Sequence, residues 1–139
     1  MLIAVDFDGT IVRDKYPEIG REIPFATDTL KMLMNEGHQL VLWTVRRGPT
    51  LEAAIEWCRQ RGVEFYAVNK SFPGEDETEP DHHYSRKPKV DIFIDDRNVG
   101  GLPDWGTIYQ MIHERRSYAD VLLSGDGGYS QRKRKWWQF

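Results

Sequence analysis

Three observations predict an α/β domain of the Rossmann-like kind, a three-layer sandwich around a mainly parallel sheet. Short apolar runs recur along the chain, each run ends in turn residues, and a stretch of helical periodicity follows. Leu2-Ile3-Ala4-Val5 is the first strand, too uniformly apolar for one whose second face meets water. After Pro24, Ala26, Leu30, Leu33 and Met34 share one helical face, and Gly37 offers the left-handed conformation that stops a helix. Leu40 to Trp43 is the second strand, and Thr50 to Arg61 the second helix, with Leu51, Ala54, Ile55 and Cys58 inward and Gly62 at its end. Phe65 to Val68 and Val90 to Ile94 supply the third and fourth strands, and Asp104 to Arg116 a last helix with Ile108, Met111 and Ile112 inward.

Size and composition set the outer limits. A chain of 139 residues corresponds to about one domain, and 40% hydrophobic residues are enough to build its core. We read residues 1–123 as the folded domain and 124–139 as a tail, in which glycines give way to Arg132-Lys133-Arg134-Lys135 and then Trp136-Trp137. No apolar run approaches the roughly 20 residues of a membrane span, and no basic segment precedes an apolar one at the N-terminus. A single cysteine, Cys58, excludes an internal disulfide. These features point to a soluble cytoplasmic protein without a membrane partner. The net charge of −3 argues against a protein that coats nucleic acid. The segment 69–87, acidic, with Pro73 and Pro80 inside it and Pro88 beside it, is long for a connection without periodicity. Its His82 and His83 read as solvated, because adjacent side chains diverge on most backbones.

The chemistry is concentrated at strand ends. Asp6-Phe7-Asp8-Gly9-Thr10 begins where the first strand stops, at the edge where open parallel sheets bind ligands. Asp95-Asp96 ends the fourth strand on that same edge, so four carboxylates face one crevice. Two unit charges about 4 Å apart repel by roughly 4 kcal/mol at an effective dielectric of about 20, so such a cluster requires protons or a cation. Oxygen donors without a thiol select a hard ion, Mg²⁺ above all. Taken singly, Asp-Gly is also a common turn and Asp95-Asp96 a common helix cap; the joint placement is what argues for a site. Thr44 closes the second strand and offers a hydroxyl to a phosphoryl oxygen, or a cap to the next helix; Arg46 lies two residues on. Lys87, with Lys89 as its rival, stands before the fourth strand, where an ammonium balances both a carboxylate and an incoming phosphate.

With these residues in order, the chain resembles the haloacid dehalogenase (HAD) superfamily of phosphohydrolases over roughly residues 1 to 98. The resemblance aligns motif one with Asp6 to Thr10, motif two with Thr44, motif three with Lys87 and motif four with Asp95-Asp96. It implies a Mg²⁺-dependent phosphomonoester hydrolase with Asp6 as the nucleophile that forms an aspartyl-phosphate. Asp8 is then the general acid and base, and Thr44 and Lys87 complete the catalytic set; beside them we read Arg46, with Thr44 and Lys87, as a substrate-binding residue. By the same resemblance the metal is held by Asp6, the backbone carbonyl of Asp8, and Asp95 and Asp96. Family members usually carry a cap domain after the first or third strand. Here Arg13 to Pro24 has room only for a short flap and Asn69 to Lys87 for no folded cap, so the chain resembles a minimal, capless member. Asp95-Asp96-Arg97 with Trp105 downstream is also similar to the phosphatase half of polynucleotide kinase-phosphatases.

Competing readings remain at this stage. A two-component receiver domain uses similar residues but needs an acidic acceptor after the third strand, where Asn69 stands. A catalytically silent binding module on the same fold, and a phosphotransferase whose acceptor is not water, share every motif named so far. The expected partner is a phosphorylated substrate, either a small molecule or a macromolecular end; a homo-oligomer is the arrangement that lets one subunit lid its neighbour's crevice. Basic charge beside aromatic planes, as in the tail, is the chemistry of single-stranded nucleic acid binding, although a solvated or self-docked tail is the commoner outcome.

Overall fold

The computed structural model describes residues 1–76, 78, 85–115 and 120. The chain divides into two compact units, residues 1–102 and 103–139. The expected boundary at 123/124 and the whole basic-aromatic tail lie outside the described residues, as do His82 and His83.

The first unit is built on a four-stranded parallel sheet. In chain order its elements are β1 (Leu2–Val5), β2 (Val12–Lys15), β3 (Glu18–Glu22), α1 (Ala26–Asn35), β4 (Gln39–Leu42), α2 (Gly48–Gln60), β5 (Ala67–Val68) and β6 (Ile92–Ile94). The parallel sheet has the order β5-β4-β1-β6. Residue Ile3 pairs with Leu40 on one side and Ile92 on the other, and Val5 with Leu42 and Ile94. β1 is therefore central, and Ile3, Ala4, Val5, Leu40, Val41 and Leu42 are all buried, as their uninterrupted apolar runs require. All four expected strands form, but the last two are shorter than the apolar runs suggested. β5 holds only two residues, extended by ladder bonds from the Tyr66 N–H to Leu40 O (2.7 Å) and from the Asn69 N–H to Leu42 O (2.7 Å).

The helices follow the expected periodicity. α1 buries Ala26, Leu30 and Leu33 and packs against β4. It starts without a capping side chain of its own: Phe25 takes the left-handed conformation, and Glu22 at the end of β3 accepts the Thr27 N–H at 2.9 Å. That bond satisfies one of the helix's orphan donors from outside. α2 has a proline in its first turn and buries Ala54 and Cys58. Burial pushes the Cys58 thiol up to about 12, which leaves it a packed, unreactive group. In the second unit, α3 (Trp105–Glu114) begins at Asp104, whose carboxylate accepts the Thr107 N–H at 3.1 Å.

The short flap expected between 13 and 24 is an antiparallel hairpin of β2 and β3, a separate two-stranded sheet whose turn holds a cis Tyr16-Pro17 bond. A lone two-stranded hairpin is marginal in water, so something must hold it. Part of the answer is close backbone packing: a Cβ at Gly20 would overlap the Arg13 carbonyl, so only glycine fits there. The rest is Arg46. Its side chain is wholly inaccessible, and Nη1 donates to Pro17 O (3.1 Å) and Thr50 O (3.3 Å) while Nη2 donates to Glu18 O (2.7 Å). The same guanidinium takes both oxygens of Asp8, Nε to Oδ2 and Nη2 to Oδ1, each at 2.7 Å. One buried cation thus joins the loop after β1, the hairpin turn and the first turn of α2.

Breaking a buried ion pair by removing one partner costs about 3–5 kcal/mol. Arg46→Ala is expected to lose stability in that range in chemical denaturation. A loss below about 1 kcal/mol would show that the hairpin is held by other contacts.

Candidate active site

Parallel strands that leave the sheet at one edge bring their C-terminal residues together. β4 and β6 are the two neighbours of β1, so the segments after these three strands meet. The chain runs from β1 to β4 and β5 on one side, then returns to β6 on the other, and ligand crevices form where the direction reverses in this way. Asp6 follows β1, Thr44 follows β4, and Asp95 and Asp96 follow β6.

The loop after β1 is a tight turn around one carbonyl. Phe7 O accepts the N–H groups of Thr10 (3.2 Å), Ile11 (2.9 Å) and Val12 (3.3 Å), while the Phe7 ring is buried edge-on against Trp57. Gly9 has φ +85°, and a Cβ on it would overlap the Asp96 carboxylate. The Asp-Gly pair of the motif is therefore needed for close approach as well as for turning. Thr10 is buried beneath the acidic groups; its Oγ1 lies 3.5 Å from Asp6 Oδ2 and 3.4 Å from Asp96 Oδ1, and accepts the Asp96 N–H at 3.1 Å.

Asp6, Asp95 and Asp96 each offer an oxygen, and these three atoms lie within 4.8 Å of one another. Burial, together with the charges of Asp95 and Asp96, pushes the Asp6 carboxyl up to about 7. The cluster is electrostatically frustrated and holds a proton well above the usual carboxylate range unless a cation replaces it. Three half-buried carboxylates, grouped with no nitrogen or sulfur donor among the described residues, fit Mg²⁺, which keeps several of its waters.

The structure brings together Asp6, Asp95, Asp96 and Thr44 and treats the other sequence-predicted residues differently. The Asp8 side chain adjoins the same cleft but stands outside the three-carboxylate group, with both oxygens on Arg46. Arg46 departs from its expected role as a substrate ligand: a guanidinium with no accessible surface and five protein acceptor contacts has nothing left for a substrate. Lys87 does not line the cleft either. Its Nζ lies 5.2 Å from the centroid of the Phe93 ring, and the adjacent Arg86 takes the place on the cleft wall. Lys89 is tied through its backbone N–H to Ser71 Oγ at 3.0 Å. Thr44 lines the cleft and its Oγ1 accepts the Arg46 N–H at 3.1 Å; it does not cap α2, whose N-cap is Arg47 without a side-chain bond.

The cleft measures about 810 Å³, and residues that no sequence motif singled out form much of its wall. Asp14 and Tyr16 come from the hairpin, Trp43 and Val45 from the segment after β4. Arg47, Arg86 and Arg97 add positive charge, and none of the three forms an ion pair among the described residues. Asn69 sits in the left-handed conformation (φ +53°) and accepts the Thr44 N–H on Oδ1 at 2.8 Å, which fixes the end of β4. An asparagine directly after a strand was the available signal, because Asn tolerates that conformation better than most residues.

A protonated Asp6 in the folded protein, against an ordinary value of 3.8, makes stability depend on pH. Between those two values the folded state binds the extra proton, so the stability of chelator-treated protein should fall as pH rises from about 4 to about 7 and level off above. At neutral pH, Mg²⁺ at a hundred times its Kd should restore about 2.7 kcal/mol. Asp6→Asn should flatten the pH slope. Thermal melts across pH, with and without Mg²⁺, measure all three.

Comparison with known proteins yields two solved structures. No family model matches the sequence, and no curated protein does. The D,D-heptose 1,7-bisphosphate phosphatase from B. bronchiseptica, solved with magnesium and phosphate, is 20% identical over 62% of this chain and 55% of its own, with a TM-score of 0.40. This chain thus spans about half the length of that enzyme. A conserved protein from Bacteroides thetaiotaomicron is 61% identical, with 87% of this chain and 96% of that chain covered and a TM-score of 0.80. At that identity and coverage, the chain belongs to the same family as the conserved Bacteroides thetaiotaomicron protein.

Proposed function

We propose that the protein is a Mg²⁺-dependent phosphomonoester hydrolase of the HAD type, acting through an aspartyl-phosphate on Asp6. The observation that carries this reading is the convergence of Asp6, Asp95 and Asp96 from adjacent strand ends, beside a separately held fourth carboxylate, Asp8. One carboxylate set suits a cation, and the other suits proton transfer. When bound, Mg²⁺ offsets the charge that would otherwise keep an anionic nucleophile from an anionic phosphate.

The chain's own residues divide the work. Asp6 attacks phosphorus through a carboxylate oxygen; the bond to the leaving oxygen breaks, and Asp8 delivers a proton to it. Water then attacks the aspartyl-phosphate and gives its proton to Asp8, releasing inorganic phosphate and regenerating Asp6. Arg46 occupies part of each Asp8 oxygen's acceptor capacity; a carboxylate has about four lone-pair sites, so capacity for the proton remains. Thr44 offers its hydroxyl on the wall of the cleft, and Arg86 adds a guanidinium to that wall.

Release of phosphate from an aryl phosphate in the presence of Mg²⁺ tests the reading. Asp6→Asn should reduce it by at least about a thousandfold while the protein stays folded, because an amide is nearly isosteric but does not accept a phosphoryl group. Activity within tenfold of wild type would overturn the mechanism, and no activity in the wild type would favour a silent binding module. Asp8→Asn should be least damaging with a good leaving group, which needs little protonation.

A further inference from the structure

We propose that the substrate is a small phosphomonoester bearing a flat aromatic ring, and that Tyr16 is the platform on which that ring stacks. The proposal rests on the hydrolase reading of Asp6 and narrows its substrate class.

Tyr16 stands at the tip of the β2–β3 hairpin, lines the same cleft as Asp6, Asp8 and Thr44, and is 56% exposed. Its exposure alone is ordinary, as Phe25 is more exposed at 70%; what distinguishes Tyr16 is that its open ring lines the cleft. The ring is also held. The Arg46 guanidinium carbon lies 5.3 Å from its centroid and 5.1 Å from that of the buried Phe7 ring. Arg46 further anchors the carbonyls of Pro17 and Glu18, the two residues that follow Tyr16. The Tyr16 N–H donates to Asp14 Oδ1 at 3.2 Å. A tyrosine fixed by a buried cation beside it and by anchored backbone after it is preorganised as a binding surface, with little left to order when a ligand arrives.

The rest of the cleft agrees with this occupant. Its volume of about 810 Å³ lies in the range of sites that enclose a whole small molecule, far larger than a phosphoryl group alone requires. Trp43 adds a second aromatic wall, and Asn69 a polar side chain. Stacking on aromatic side chains tolerates any flat ring, so the inferred class is set by planarity, and a nucleoside monophosphate is its natural probe.

A nucleoside 5′-monophosphate and ribose 5-phosphate share the reacting phosphate, the primary leaving oxygen and the sugar, and differ in the base. With Mg²⁺ present, kcat/KM for the nucleotide should exceed that for ribose 5-phosphate at least tenfold. Tyr16→Leu should bring this ratio toward one, and Tyr16→Phe should keep it, since the ring face is what stacks. Binding of the same pair to Asp6→Asn protein, followed by calorimetry, should show the same preference without turnover. A wild-type ratio near one, or a ratio that Tyr16→Leu leaves intact, would overturn the platform, while continued hydrolysis of ribose 5-phosphate would leave the hydrolase reading standing. A tenfold binding preference without hydrolysis of either compound would support the platform and overturn the hydrolase reading.

Discussion

The arrangement of the candidate site depends on one buried ion pair, Asp8 with Arg46. Desolvating a guanidinium is costly unless all its donors find acceptors, and here they do: both carboxylate oxygens of Asp8 and the carbonyls of Pro17, Glu18 and Thr50. Those partners come from three separate segments. Satisfying one cation therefore fixes the turn after β1, the hairpin tip and the start of α2 relative to one another. The Asp8 side chain strengthens the proton affinity of Arg46 in turn, so the buried guanidinium stays charged. A hairpin too polar to hold itself against the domain by burial is instead held by its backbone carbonyls.

A second constraint works in the opposite sense. The three carboxylates of Asp6, Asp95 and Asp96 are gathered by strand order, and among the described residues none of them forms an ion pair. The Thr10 hydroxyl and the backbone bonds of the turn shape the cluster without offsetting its charge. Positive charge exists around it, in Arg47, Arg86 and Arg97, but on the cleft walls. The result is an acidic floor beneath a basic rim, an arrangement suited to a small cation below and an anion above. Gly9 records how tight the floor is, since no side chain fits between the first motif and Asp96.

Much of this was legible in the residues alone. The buried parallel strands announce themselves as uninterrupted apolar runs, and the helices as apolar residues three and four apart, because burial on two faces or one stripe leaves those two patterns. Asp6 and the Asp95-Asp96 pair were legible for a related reason: a residue directly after a buried strand must emerge at the sheet's edge. The hairpin was not, beyond its shortness. Val12 to Lys15 and Glu18 to Glu22 are mostly polar and largely exposed, so they carry no burial pattern to read, and the residues they bring to the cleft stayed hidden with them.

What the sequence by itself determined is the fold class and the edge where the acidic residues gather, since both follow from local periodicity and strand direction. What only the tertiary structure decided is which charged groups meet. Arg46 and Arg47 are neighbours in the chain with the same side chain, yet one is buried on Asp8 and the other lines the cleft. Arg86 and Lys87 are likewise adjacent, and the cleft takes the arginine while the lysine lies over Phe93. Adjacent side chains diverge by the backbone's own geometry, and the choice between them is made by partners that the fold brings up: for Arg46, Asp8 and the hairpin carbonyls about 30 to 40 residues earlier, and for Lys87 the Phe93 ring on β6.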